Sequence, residues 1–184
     1  MMDSGAILEA EESLPSARLD FAELFREHYP RVYRYVRYRV NDDLVAEDLT
    51  AEVFERAYRY RDSYDPARST FSTWITQIAH NWINNHLVSQ QRRDQHEADL
   101  SDDMEILPST DRLPEAQAIA SEAVQRLLAC LDRLSARDRQ VVALRFGSDM
   151  RNKDIAELLA LKEHTVSVIL LRALERLRAC QEES

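Results

Sequence analysis

Apolar residues recur along most of the chain at three- and four-residue spacing, the period of amphipathic helices. Phe21, Leu24, Phe25, His28, Val32, Tyr33 and Val36 form the first such stripe, with Asp20 placed to cap it. Pro30 falls inside the stripe, which predicts a kink or a restart there. The pair Asp42-Asp43 opens a second helix whose Leu44, Leu49, Val53, Phe54 and Ala57 share a face. Asp65-Pro66 marks a turn, and Ser69 or Thr70 caps a third helix. Its stripe is Phe71, Trp74, Ile75, Ile78, Ala79, Trp82 and Ile83, and the pattern ends in Gln90-Gln91-Arg92-Arg93. Aromatic residues in stripes of this kind read first as core.

Periodicity then stops. Residues 94–115 contain Pro108 and Pro114 and a high density of acids, the composition of an extended or disordered linker. Pro114 suits the first position of the helix that follows. Ala120, Val124, Leu127, Leu128, Leu131 and Leu134 predict that helix. Ser135 with Asp138 three residues on resembles a capping box, and opens a helix running through Leu144 to a stop at Phe146-Gly147. Asn152 is placed to cap a short helix carrying Ile155, Leu158 and Leu159. A turn at Ala160-Leu161-Lys162 leads to a last helix with Val166, Leu170, Ala173, Leu174 and Leu177 on its buried side. Two helices across a tight turn, the second longer, are the organisation of a helix-turn-helix DNA reader, here without the glycine common in the turn.

Composition agrees with an all-α fold. Among 184 residues there are 2 Gly and 5 Pro, too few for a turn-dense β protein. The net charge of −9 is uneven: residues 1–19 carry −3 and residues 94–115 carry −7, while 20–93 balance and 116–184 carry +1. The expected architecture is therefore an acidic tail (1–19), a three- to four-helix domain (20–93), an acidic flexible linker (94–115) and a four-helix, helix-turn-helix domain (116–184). Basic charge is almost all Arg, with Lys only at 153 and 162, and Arg favours bidentate contacts to phosphates and carboxylates.

No apolar run approaches the roughly 20 residues of a membrane span. Glu9, Glu11 and Glu12 sit where a signal peptide would be apolar, so the reading is a cytoplasmic protein without membrane insertion. An enzyme is disfavoured: no glycine-rich phosphate loop, metalloprotease spacing or local Ser/His/Asp motif stands out, and no cofactor or metal is expected. Cys130 and Cys180 lie far apart and are not expected to be able to form a disulfide framework or a zinc site by themselves. They read as packed or near-surface thiols.

Three strings in order carry a resemblance. Ala46-Glu47-Asp48-Leu49 with Glu52-Val53-Phe54 is the first, and Phe71-Ser72-Thr73-Trp74-Ile75 with Ile78-Ala79-His80-Asn81 the second. The third runs from Leu134-Ser135-Ala136-Arg137-Asp138-Arg139 through Leu144-Arg145, then Asp154-Ile155-Ala156-Glu157, Thr165-Val166 and Arg172-Ala173-Leu174. Over residues 20–93 and 116–179 the chain resembles a bacterial sigma factor of the extracytoplasmic-function (ECF) group of the sigma-70 family.

The resemblance implies a division of labour. Glu47, Asp48, Glu52 and Phe54 would dock core RNA polymerase, the acids steering and Phe54 anchoring. Trp74, His80, Asn81, Asn84, Asn85, Arg92 and Arg93 would hold and read the melted minus-ten element of promoter DNA. Without the resemblance, the acids read as a solvated face, and His80 and His86 as ordinary surface histidines. Arg151, Asn152, Lys153, Lys162, His164, Thr165, Ser167 and Arg172 would face the minus-thirty-five element. Here Ser167 and Ile169 stand where the family usually carries a Lys and an Arg, so recognition of that element is expected to be weak or unusual. Val168, Ile169 and Leu171 would then meet a protein, such as an anti-sigma factor or an activator, or be buried by a shifted register. The acidic linker would thread the polymerase cleft, or serve as a spacer.

Two functions of different class stay open. One is a promoter-specificity subunit of RNA polymerase. The other is a sigma-like interaction protein that binds polymerase or an anti-sigma factor with weak or no promoter recognition. A simple helix-turn-helix repressor would leave residues 20–93 unexplained.

Overall fold

The computed structural model describes residues 20–97 and 115–183. The acidic tail, most of the acidic linker and the expectation for Pro114 lie outside the described residues. Seven α-helices are present among them: α1 (Phe21–Arg39), α2 (Asp43–Arg59), α3 (Phe71–Glu97), α4 (Glu115–Asp132), α5 (Ala136–Val142), α6 (Asn152–Leu158) and α7 (Glu163–Glu182). They make two helical bundles, α1–α3 and α4–α7, which pack against each other through α1, α5 and the segment after α5.

Local chemistry sets most helix starts. The Asp20 carboxylate accepts from the Ala22 and Glu23 amides, and Asp42 accepts from Val45. Thr70 Oγ1 accepts from the Thr73 amide, so Thr70 rather than Ser69 caps α3. Ser135 Oγ accepts from the Asp138 amide at 3.1 Å. Each satisfies an amide that a helix start leaves without a partner. Asp65 Oδ1 accepts from the Ala67 amide and shapes the turn before α3.

Four expectations are corrected. Helix α1 runs through Pro30 without the restart expected there. Pro30 is exposed, while His28, Val32, Tyr35 and Val36 on both sides of it are buried. Helix α3 continues past Arg93 to Glu97. Beyond α5 the chain does not stay α-helical to Leu144, but widens into a π-helical segment, Ala143–Gly147. Such wide turns are uncommon and frequent at functional places. Arg151, not Asn152, takes the N-cap position of α6, without a side-chain cap; Asn152 is the first helical residue.

The cysteines also differ from expectation. Cys130 on α4 and Cys180 on α7 form a disulfide, with a Cα–Cα distance of 5.9 Å. Residues remote in sequence meet because α4 packs along α7 at the end of the chain.

The N-terminal core is aromatic-rich. Phe21 meets Phe54, Tyr58 and Phe71 edge-on, and Phe54 also meets Phe25 and Tyr29. Behind them Tyr35, Val36, Val53, Ile75 and Ile83 are fully buried. The C-terminal core is aliphatic: Leu128, Leu131, Val141, Leu144, Ile155 and Val166. The tight turn between α6 and α7 lacks glycine, and Ala160 adopts φ 52° there. A side chain in that left-handed region costs about 1–2 kcal/mol.

Candidate polymerase and DNA interfaces

Helix α2 presents the first candidate surface. Leu44, Glu47, Asp48, Ala51 and Glu55 are all exposed, and their spacing puts them on one face. Glu52 turns away from it: half-buried, it lies 3.7 Å from the Arg56 guanidinium, which sits 3.2 Å above the centre of the Trp82 ring. Phe54 is buried at 3% exposure, inside the aromatic cluster, so its ring supports the helix from beneath rather than standing at the surface. The apolar side chain on the acidic face is Leu44, 64% exposed. The spacing of 44, 47, 48, 51 and 55 carries this signal, although Leu44 reads in isolation as part of the core stripe.

Helix α3 divides its expected DNA-reading residues. Asn81, Asn85, Arg92 and Arg93 are exposed, and Trp74 is half-buried against Tyr64 and Phe71. His80 and Asn84 instead turn inward. His80 is buried, which corrects its reading as a surface histidine. Arg39 Nη2 donates to Asn84 Oδ1 at 3.0 Å, which fixes the amide so that its nitrogen faces His80 Nε2, also at 3.0 Å. Nδ1 lies 3.4 Å from both the Tyr35 hydroxyl on α1 and Gln140 on α5. Burial, and then the nearby Arg39 charge, push the His80 pKa down to about 4, so the imidazole is neutral at pH 7.

A second group beside α3 was not singled out by the sequence pattern. Tyr58 and Tyr60 at the end of α2 are 52% and 56% exposed. Arg61 lies 4.3 Å over the Tyr58 ring, and exposed Arg59 and Arg68 flank them. Tyr64 continues this surface to Trp74 at 5.3 Å. Aromatic faces interleaved with guanidinium groups suit stacked bases and phosphates of a single strand. The signal in the sequence is the alternation of Tyr and Arg from Tyr58 to Arg61, followed by Tyr64, which straddles the end of α2 and has no helical period.

The helix-turn-helix side is more open and more sparsely charged. Lys153, Lys162, His164, Ser167 and Arg172 are exposed, and Asn152 and Thr165 half-exposed. Arg151 is committed to a bidentate pair with Asp154, at 2.8 and 3.0 Å, and its hydrogen bonds hold the Asp154 carboxyl below the usual carboxylate range. Asn152 donates to Ser167 at 3.1 Å across the two helices. Among the described residues Lys153, Lys162 and Arg172 make no ion pair, so three cations face outward uncommitted. Ile169 packs partly against the core, Val168 is half-exposed and Leu171 is 60% exposed. Burial thus accounts for Ile169 but not for Leu171. No group of three or more His, Cys, Asp or Glu among the described residues could hold a metal ion, and no described helix is long and apolar enough to cross a membrane.

The fold is that of two-domain sigma factors. The RpoE sigma factor of Bartonella quintana, solved with its anti-sigma factor NepR, superposes with a TM-score of 0.70 at 20% identity, over 89% of this chain and 97% of that one. CnrH, solved with the cytosolic domain of CnrY, gives a TM-score of 0.60 at 19% identity. The sigma-70 region 2 family matches residues 24–93 and the sigma-70 region 4 family matches residues 124–177. Among curated relatives, the ECF RNA polymerase sigma factor BldN of Streptomyces coelicolor is 29% identical over 177 residues, 95% of this chain and 66% of that protein. SigM of Bacillus subtilis is 27% identical over 157 residues, 85% of this chain and 92% of the relative. The chain belongs to the sigma-70 family, in its ECF group.

Proposed function

We infer that this chain is a promoter-specificity subunit: it binds bacterial core RNA polymerase in the cytoplasm and directs initiation by opening the minus-ten element and contacting the minus-thirty-five element. The observation that carries this reading is the order of three surfaces along one chain. An acidic helix face (Leu44, Glu47, Asp48, Glu55) is followed by an aromatic and arginine surface (Tyr58 to Trp74) beside a helix-turn-helix partner domain. The acidic face steers onto a basic partner surface, with Leu44 as its apolar contact, Glu52 restrained behind it and Phe54 holding the helix rigid. Trp74, Tyr58, Tyr60 and Tyr64 offer stacking faces, and Arg59, Arg61, Arg68, Arg92 and Arg93 offer phosphate contacts. Asn81 and Asn85 are free to meet base edges, whereas His80 and Asn84 build the floor under them. Arg151, Asn152, Lys153, Lys162, His164, Thr165, Ser167 and Arg172 form the minus-thirty-five surface. Such a subunit does no covalent chemistry of its own.

Asp48→Ala with Glu47→Ala is expected to weaken binding to purified core polymerase at least tenfold, measured by fluorescence anisotropy at fixed salt. Unchanged affinity would remove the docking assignment.

One observation favours the second reading, an interaction protein with weak promoter recognition. Leu171 is exposed on the reading helix, beside half-exposed Val168, where a DNA-facing surface would carry charge. Under that reading the C-terminal helix meets an anti-sigma factor or an activator, and duplex binding is lost before polymerase binding.

A further inference from the structure

A reading helix meets base edges with the residues of its first turns. In α7 the outward positions there are His164, Ser167, Val168 and Leu171. Ser167 is already committed: its hydroxyl donates to the Glu163 carbonyl at 3.2 Å and accepts from Asn152 at 3.1 Å. None of the four is Arg, Lys, Asn or Gln, the side chains that pair bidentately with guanine or adenine. Two are apolar, half-exposed Val168 and Leu171 at 60% exposure, and residues three apart are neighbours on a helix surface. Around this pair the chemistry changes. Lys153, Lys162 and Arg172 are exposed and make no ion pair among the described residues. Glu163 and Glu175, both exposed, close the stretch at either end.

We propose that Val168 and Leu171 read thymine: they meet the 5-methyl groups of two neighbouring thymines in the major groove, while Lys153, Lys162 and Arg172 hold flanking phosphates. The inference deepens the minus-thirty-five reading above and rests on it. Thymine alone among the bases shows an apolar group in the major groove, and apolar side chains recognise it. The spacing agrees. Residues three apart on a helix rise about 4.5 Å, against about 3.4 Å between neighbouring base pairs. A protein partner is the poorer fit. Two side chains make a patch far below the roughly 800 Å² that a standard interface buries on each partner. The unpaired cations beside the patch complement a polyanion. Leu171, out of place on a surface built to read guanine, has on this account a role that needs no charge.

The test loads the full chain onto core polymerase and offers a duplex library randomised around the minus-thirty-five position. Neighbouring thymines on one strand are expected among the recovered sequences. Affinity is then measured for a recovered duplex carrying thymine, and for the same duplex carrying deoxyuridine, which lacks only the methyl group. Each replacement is expected to weaken binding about three- to fourfold, the value of burying one such carbon. Leu171→Ala and Val168→Ala are each expected to abolish the thymine–deoxyuridine difference at one of the two positions. Leu171→Arg is expected to move the recovered preference at its position from thymine to guanine. Equal binding of the two duplexes by the native chain, or recovered sequences without the thymines, would overturn the proposal. Recovery with no upstream preference would overturn it as well and assign the apolar pair to a protein partner. If the chain does not load onto core polymerase, the sigma reading falls, and the same selection is run on the free chain. A methyl-dependent preference there keeps the thymine reading, and its absence overturns it.

Discussion

The two helices offered to DNA, α3 and α7, solve opposite problems. In α3 half of the polar face is spent inside the protein: His80 and Asn84 are joined to Tyr35 and Arg39 of α1. Around this fixed floor stand exposed asparagines and a surface of Tyr and Arg residues. In α7 the polar face is nearly all exposed, but its charge is thin. Ser167 is tied to Asn152, Arg151 to Asp154, and Leu171 stands in the open. The first surface is rigid and rich in stacking faces, as single-stranded bases require. The second depends on a few cations and suits a duplex contact that contributes position more than affinity.

The support of the two helices differs as well, and removing it separates them most sharply. The disulfide closes a loop across 50 residues, which in the chain-entropy treatment stabilises by about 4 kcal/mol. Cys130→Ser with Cys180→Ser is therefore expected to lower the melting temperature of the C-terminal bundle by well over 5 °C and leave the aromatic N-terminal bundle unaffected. Differential scanning calorimetry and Trp fluorescence check this, since both tryptophans lie in α3. A joint loss of both bundles would break the comparison.

Acid should act on the other side. His80 binds its proton with a pKa of about 4 when folded and near 6.5 when unfolded, so the unfolded chain takes up more protons between those values. Stability from this neutral histidine is complete above pH 6.5 and falls as pH drops towards 4. The groups facing it are Arg39 and Tyr35 on α1, Asn84 on α3 and Gln140 on α5. Urea unfolding of the native chain is expected to weaken from pH 7 to pH 5, and His80→Gln is expected to flatten that slope. An equal slope in both would remove the buried-histidine account.

Much of the fold is legible in the residues because its signals are local. Asp20, Asp42 and Ser135 announce helix starts with a single side chain, and the stripe from Phe71 to Ile83 fixes which face of α3 is buried. What was not legible is tertiary. Nothing in the neighbourhood of Cys130 or Cys180 says that α4 will lie along α7. The polar run from Gln90 to Glu97 carries no apolar period, so the helix outlasts its pattern. Phe54 and Leu44 share one stripe by spacing, yet only packing decides that the ring goes inward and the leucine outward. His80 looks like a surface residue until Tyr35 and Arg39 are placed against it.

Smaller changes refine the contrast. Trp74→Ala is expected to cost about 1–3 kcal/mol in binding a minus-ten single strand, the value of one lost stacking face, with little effect on a duplex probe. Ala160→Gly removes a left-handed alanine and is expected to stabilise the C-terminal bundle by about 1 kcal/mol in thermal unfolding. Lys162→Ala is expected to weaken duplex binding evenly across sequences and reduce the salt slope by about 1, measured by titration at several salt concentrations. A sequence-dependent loss would instead assign Lys162 to base reading.

The most direct measurement is transcription from fragmented genomic DNA of a bacterial host by purified core polymerase, with and without this protein, with start sites mapped. The account predicts new starts that share an upstream pattern, sharply defined in the minus-ten half read by the rigid α3 surface and looser in the half read by α7. Tight binding to core without any new starts would contradict it and leave the interaction-protein reading.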